Sequence, residues 1–190
     1  MSTDFTAARL NMVESQIRTA DVTDLPLQDA LRVVAREAVV PSAKGYLAYA
    51  DAEVEYAPGR WLLRPRDVGK LLQYLKPRSG ETALAIAAPY AAAVMEAMGL
   101  SVTRMDGDDL KSPPGSGYDI IICEGAVDAA PAAWTAALAV GGRLGVVERT
   151  GPVGQATLYV RAADGVGCRT VFDSTPPVLA GFSAEPGFAF

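Results

Sequence analysis

The chain has 190 residues, half of them hydrophobic, enough apolar material for one packed core but not for a second large domain. Seventeen Lys plus Arg against 22 Asp plus Glu leave a formal net charge of -5, the wrong sign for a phosphate backbone, so nucleic acid is excluded as an expected partner. There is no histidine, which removes Ser-His-Asp and Cys-His catalysis, imidazole-ligated metals and histidine pH switching together.

From Thr3 to Ala20 the apolar positions Phe5, Leu10, Val13 and Ile17 recur at helical spacing behind Ser2-Thr3-Asp4, a helix-capping run, and predict one amphipathic helix. Asp24 before Leu25-Pro26 opens a second helix, whose stripe Leu27, Leu31, Val34 and Ala38 ends by Pro41. Residues 42–66 mix Gly, Pro, Tyr and Trp without a sustained period and predict irregular structure with short extended pieces; Asp67 to Leu75 is helical again.

From Glu81 the pattern changes to short β-type runs alternating with Ala-rich stretches, as in a parallel sheet covered by helices. The expected strands are Thr82–Ala87, Val102–Met105, Asp119–Cys123, Leu144–Glu148, Ala156–Arg161 and Cys168–Asp173, joined by helices at Tyr90–Met98 and Pro131–Val140. Cys123 sits in the run Ile120-Ile121-Ile122 and is expected to be a buried thiol, not a nucleophile. The start of the chain has no basic segment followed by an apolar one, and nowhere do ~18 uncharged apolar residues run together. The expectation is a cytoplasmic protein with no membrane segment.

Several stretches together resemble the protein-L-isoaspartate O-methyltransferase family, in a divergent bacterial form: Met12-Val13 with Gln16-Ile17-Arg18, Asp21-Val22, Arg36-Glu37-Ala38-Val39-Val40-Pro41, Ala48-Tyr49-Ala50-Asp51, Pro58-Gly59, Tyr118-Asp119-Ile120-Ile121-Ile122 and Gly141-Gly142-Arg143-Leu144. The resemblance implies an α/β fold, a Rossmann-like methyltransferase sheet with an N-terminal helical cap. The cap and substrate-side segment would span residues 1–78 and the sheet domain 79–190, in one globule. It also implies methyl transfer from S-adenosylmethionine to the carboxylate of a protein or peptide substrate. Such chemistry rests on orientation and electrostatics and needs no histidine.

Three departures bear on activity. The Gly-rich cofactor turn expected after the first sheet strand is Ala87-Ala88-Pro89-Tyr90 here, a poor cradle because alanine resists positive φ and proline donates no hydrogen bond. Gly99 to Tyr118 leaves room for one strand, so the sheet is expected to be shortened by one βα unit; Asp106 would stand in for the ribose acid, or Gly107-Asp108 for the adenine loop, or the segment is a solvated acidic turn. The family's substrate-side serine position is Leu63, which can neither orient nor polarise a carboxylate. No catalytic residue is therefore assigned. The resemblance places Ala87, Tyr90, Asp106, Asp108 and Glu124 at the cofactor crevice, and Arg60 and Arg64, with Arg66 nearby, are candidates to hold an anionic substrate group. Two readings follow: a carboxyl methyltransferase, or a catalytically silent descendant (a pseudoenzyme) that binds or assembles with a partner. The shortened sheet would leave an apolar edge, covered by Phe182–Phe190 or by a second subunit in a homodimer.

Overall fold

The computed structural model describes residues 4–183. Helix α1 (Phe5–Met12) begins on Asp4, whose side chain accepts the Ala7 N–H at 3.0 Å, and runs on through a π-helical turn, Val13–Ile17, and a 3₁₀ turn, Arg18–Ala20. The expected single helix is thus one rod of changing pitch, closed by Asp21 in the left-handed region at φ 62°; its predicted start at Thr3 lies outside the described residues. Helix α2 (Leu25–Val33) starts on Asp24 as predicted but ends at Val34, which is extended, short of the Ala38 expected. The chain breaks there and then turns as a 3₁₀ segment, Arg36–Val39, and Arg36 is buried.

The irregular stretch contains a small antiparallel hairpin, β1 (Val54–Ala57) and β2 (Arg60–Leu62), followed by α3 (Pro65–Leu75). The main sheet has six strands, β3 (Thr82–Ile86), β4 (Ser101–Met105), β5 (Tyr118–Val127), β6 (Leu138–Glu148), β7 (Gln155–Ala162) and β8 (Gly165–Asp173), in the order β4-β3-β5-β6-β7-β8. The first four are parallel and the last two antiparallel to their neighbours. Helix α4 (Pro89–Ala97) connects β3 to β4.

The helix predicted over Pro131–Val140 is only α5 (Ala132–Ala136); Leu138 already pairs with Tyr118, so sheet pairing overrides the helix propensity of the alanines. Gly142 permits this close passage, because a Cβ there would sit 2.7 Å from the Tyr118 carbonyl oxygen.

Apolar residues of α1–α4 and of one sheet face form a continuous cluster, from Met12 and Leu31 through Leu71 and Val94 to Ile120 and Leu158. Cap and sheet therefore share one core. Gly145 lets α3 lie close, with Leu71 and Leu75 side chains at 3.0–3.1 Å from where a Cβ would be. The opposite face is covered more thinly, by Trp134, Leu179, Phe182 and neighbours around Leu84 and Ile121.

Between Gly99 and Tyr118 there is one strand, β4, as the spacing predicts. Its edge is not the apolar surface expected: Ser101, Thr103 and Arg104 are exposed, and Arg104 pairs with Glu96 at 2.7 Å. A polar edge of this kind needs no apolar cover. Phe182 packs elsewhere, on Trp134 with ring centroids 5.5 Å apart, and residues 184–190 lie outside the described part. No helix among the described residues is long and apolar enough to cross a membrane.

Candidate functional site

In this sheet the chain leaves β3 toward β4 on one side and returns to β5 on the other, and such a switch point opens a ligand crevice beyond the carboxyl ends of the strands. The loop after β3 and the end of β5 therefore face the place where the sequence puts the site. Ala87 takes the left-handed conformation at φ 45°, one that glycine adopts more cheaply, and its N–H donates to the Met105 carbonyl at 2.9 Å. Ala87 and Ala88 are buried, and Pro89 begins α4.

Glu124 near the end of β5 is fully buried. One carboxylate oxygen accepts the Ala91 N–H in the first turn of α4 at 2.9 Å; the other accepts the Leu63 N–H at 3.0 Å. Helix N-termini attract anions through their unpaired N–H groups and dipole, and here the anion comes from the chain itself. Burial pushes the Glu124 carboxyl up to about 7, against the opposing pull of Arg36 and of the two N–H groups.

Arg36 is equally buried; it donates to the Leu63 carbonyl at 2.6 Å and lies 4.7 Å from the centroid of the Tyr90 ring. Burial drives its guanidinium down, and the neighbouring Glu124 counters this. Both polar ends of the Leu63 residue are therefore gripped, while its side chain is fully enclosed. The Tyr90 hydroxyl and two Arg36 nitrogens have no hydrogen-bond partner among the described residues.

The hairpin β1–β2 closes over the same ends. The Tyr56 hydroxyl donates to Asp106 at 2.8 Å, and Arg60 donates to the Gly107 carbonyl at 2.8 Å. Burial and the Asp106 charge raise the Tyr56 phenol. Asp108 is exposed, and Asp109 accepts the N–H groups of Lys111 and Ser112, which makes 106–112 a self-bonded acidic turn.

Tyr90, Glu124 and Leu63 thus meet with Arg36 in one buried group. Ala87 is buried in the cluster on the opposite sheet face, Asp106 is bound to Tyr56 of the hairpin, and Asp108 is exposed. The three arginines do not converge. Arg60 reaches the Gly107 carbonyl, whereas Arg64 pairs with Glu53 at 2.8 Å and Arg66 with Asp51 at 3.5 Å. Cys123 is buried with its thiol pushed up by burial, as expected for an inert core position. Sequence reasoning did not assign Arg36 or Tyr56 to the site. The signal for Arg36 was the charged pair Arg36-Glu37 between Val33-Val34-Ala35 and Ala38-Val39-Val40; for Tyr56 there was none.

No protein-family model matches the chain. It is 34% identical over 179 residues to a protein-L-isoaspartate O-methyltransferase of Methylorubrum populi, spanning 80% of this chain and 84% of that protein. A relative named protein-L-isoaspartate O-methyltransferase 1, from Rhodopseudomonas palustris, is 30% identical over 75% of this chain and 70% of its own. Two solved structures share the fold. One is a protein-L-isoaspartate O-methyltransferase with TM-score 0.70 and 17% identity, covering 92% of this chain and 67% of that one. The other is a Plasmodium falciparum protein described as a protein-L-isoaspartate O-methyltransferase, in complex with S-adenosyl-L-homocysteine, with TM-score 0.73 and 14% identity over 90% and 97%. On the identity and span of its curated relatives, this chain belongs to the protein-L-isoaspartate O-methyltransferase family.

Proposed function

We propose that this family member is catalytically silent and works as a binding or assembly protein on a methyltransferase fold. The observation that carries the reading is Glu124: its carboxylate holds the Ala91 N–H at the start of α4 and the Leu63 N–H on the substrate side. S-adenosylmethionine brings a carboxylate and an ammonium group that need a cradle of free backbone N–H groups and room beside the backbone. The residues present do not fit that need. The loop has no glycine, the Ala87 N–H is already bonded to the Met105 carbonyl, Pro89 donates nothing, and the Ala91 N–H is taken by Glu124.

The methyl-acceptor side points the same way. Leu63 offers a buried isobutyl group where a hydroxyl would orient a carboxylate, and the Arg60, Arg64 and Arg66 guanidiniums are bonded to three separate groups. No methyl-transfer step is assigned to this chain.

Calorimetric titration with S-adenosylmethionine and S-adenosylhomocysteine tests the reading. The expected dissociation constant is weaker than about 100 μM, under roughly 5.5 kcal/mol. Micromolar binding at neutral pH restores the enzyme reading. Inserting Gly-Thr-Gly-Ser-Gly for Ala87-Ala88-Pro89 is expected to leave isoaspartyl methylation at background, since Leu63 and the single strand between Gly99 and Tyr118 remain.

A further inference from the structure

The two edges of the sheet are built differently. β4 is five residues long and its exposed Arg104 is tied to Glu96, the short, charged form that blocks pairing with another chain. β8 is nine residues long, and among the described residues it pairs only with β7. From Gly165 to Thr170 every residue is exposed, and the stretch contains no lysine, proline or acidic residue; its one charge, Arg169, lies 5.6 Å from the Tyr74 ring on the α3 side. Apart from Arg169, nothing in this stretch deters strand addition.

Beside it runs a groove of ≈590 Å³, lined by Val153, Thr157, Cys168 and Thr170 and also by charged residues, Glu148 and Arg149 among them. Val153 and Val166, two of several exposed apolar side chains on the molecule, lie at this edge and are 61% and 47% exposed.

We propose that β8 pairs with β8 of a second copy, antiparallel about a two-fold axis through Cys168. Residues in an antiparallel ladder alternate in bonding direction, so such an axis must pass through a residue. An axis through Arg169 opposes two guanidiniums, and one through Thr170 runs the ladder across the irregularity beside Val171, where Ala156 and Thr157 pair with Phe172 and Thr170. An axis through Cys168 uses Gly165 to Val171, sets Arg169 against a glycine, and lays Val166 of the second copy across from Thr170, toward Val153 in the groove. The second copy is the occupant because this register is self-complementary: it opposes no like charges and covers the exposed valines of both chains. The proposal does not depend on the state of the crevice.

Sedimentation velocity on the full chain, with bis-maleimidoethane crosslinking, tests it. Cys168 is exposed and Cys123 buried, so only Cys168 is available to react. The expected result is a dimer at micromolar concentration that crosslinks covalently through Cys168 and loses the crosslink, but not the dimer, in Cys168→Ser. Val166→Lys puts a charge on both edges and is expected to weaken dimerisation at least about tenfold, while Val166→Thr preserves it. A monomer at 100 μM overturns the proposal, as does a dimer that Val166→Lys leaves intact. A dimer that never crosslinks at Cys168 overturns it too, in a measurement on the wild-type chain that does not rely on a variant folding.

Discussion

Two groups of the same three side chains sit a short way apart in this fold. In the cap, Arg9, Glu37 and Tyr49 bond one another directly: Arg9 reaches Glu37 at 2.9 Å and the Tyr49 hydroxyl at 2.8 Å, and that hydroxyl donates to Glu37. In the crevice, Arg36, Glu124 and Tyr90 are fully buried, yet Glu124 binds backbone N–H groups and Arg36 a carbonyl and the Tyr90 ring face. Arg9 and Glu37 keep 13% and 19% of their side-chain surface in water. Partial hydration lets the first group act as a clasp between α1 and the segments after α2, less desolvated than the fully buried group though burial still acts on Arg9 and Tyr49. The second must satisfy its charges without water, and it does so by gripping the main chain on both sides of the place where the fold otherwise leaves a crevice.

Breaking the buried group is expected to give the largest effect. Glu124→Ala strands two buried N–H groups and leaves Arg36 uncompensated, so the expected cost is about 3–5 kcal/mol, measured by urea unfolding. A loss under about 1 kcal/mol would mean that the carboxylate does not hold Leu63 to α4.

The pH dependence sharpens the comparison. Glu124 titrates at about 7 when folded, against 4.5 in the unfolded chain, so between these values the folded state binds the extra proton. Its contribution to stability is complete below pH 4.5 and is lost as pH rises through 7, by about 3 kcal/mol. Most surface carboxylates act in the opposite sense, so the quantity to measure is the wild-type unfolding free energy minus that of Glu124→Gln from pH 4.5 to 8. A difference that stays flat or rises with pH contradicts the buried assignment.

The sequence carried the fold well because the elements that build it are periodic: the alternation after Glu81 and the run Ile120-Ile121-Ile122 give the parallel strands, and Asp24-Leu25-Pro26 opens α2 where expected. It carried the site less well, because filling a crevice is a tertiary event. The departure at Ala87-Ala88-Pro89 is plain in the sequence; that Glu124 turns onto Ala91 and Leu63 is not, since residues 63, 91 and 124 are joined only by the packing of α4 and the hairpin on the sheet. The helix predicted through Val140 failed for a related reason: Ala132 to Ala139 favour a helix locally, but the pairing of Leu138 with Tyr118 decides.

The smallest expected effect belongs to the cap. Tyr49→Phe removes a hydroxyl that accepts from Arg9 and, at 3.3 Å, from the Arg36 N–H and donates to Glu37, but the Arg9–Glu37 pair remains and is partly exposed to water. The expected loss is about 1 kcal/mol, against the larger loss for Glu124→Ala. Burial and the Glu37 partner raise the Tyr49 phenol, so the folded chain holds that proton to higher pH than the unfolded one. The Tyr49 contribution is therefore present at neutral pH and is lost only as pH rises above the ordinary tyrosine range. Wild type and Tyr49→Phe should differ by a constant amount from pH 6 to 9 and converge above it. If the variant instead loses as much as Glu124→Ala, the cap cluster is as dry as the crevice and the contrast between the two groups fails.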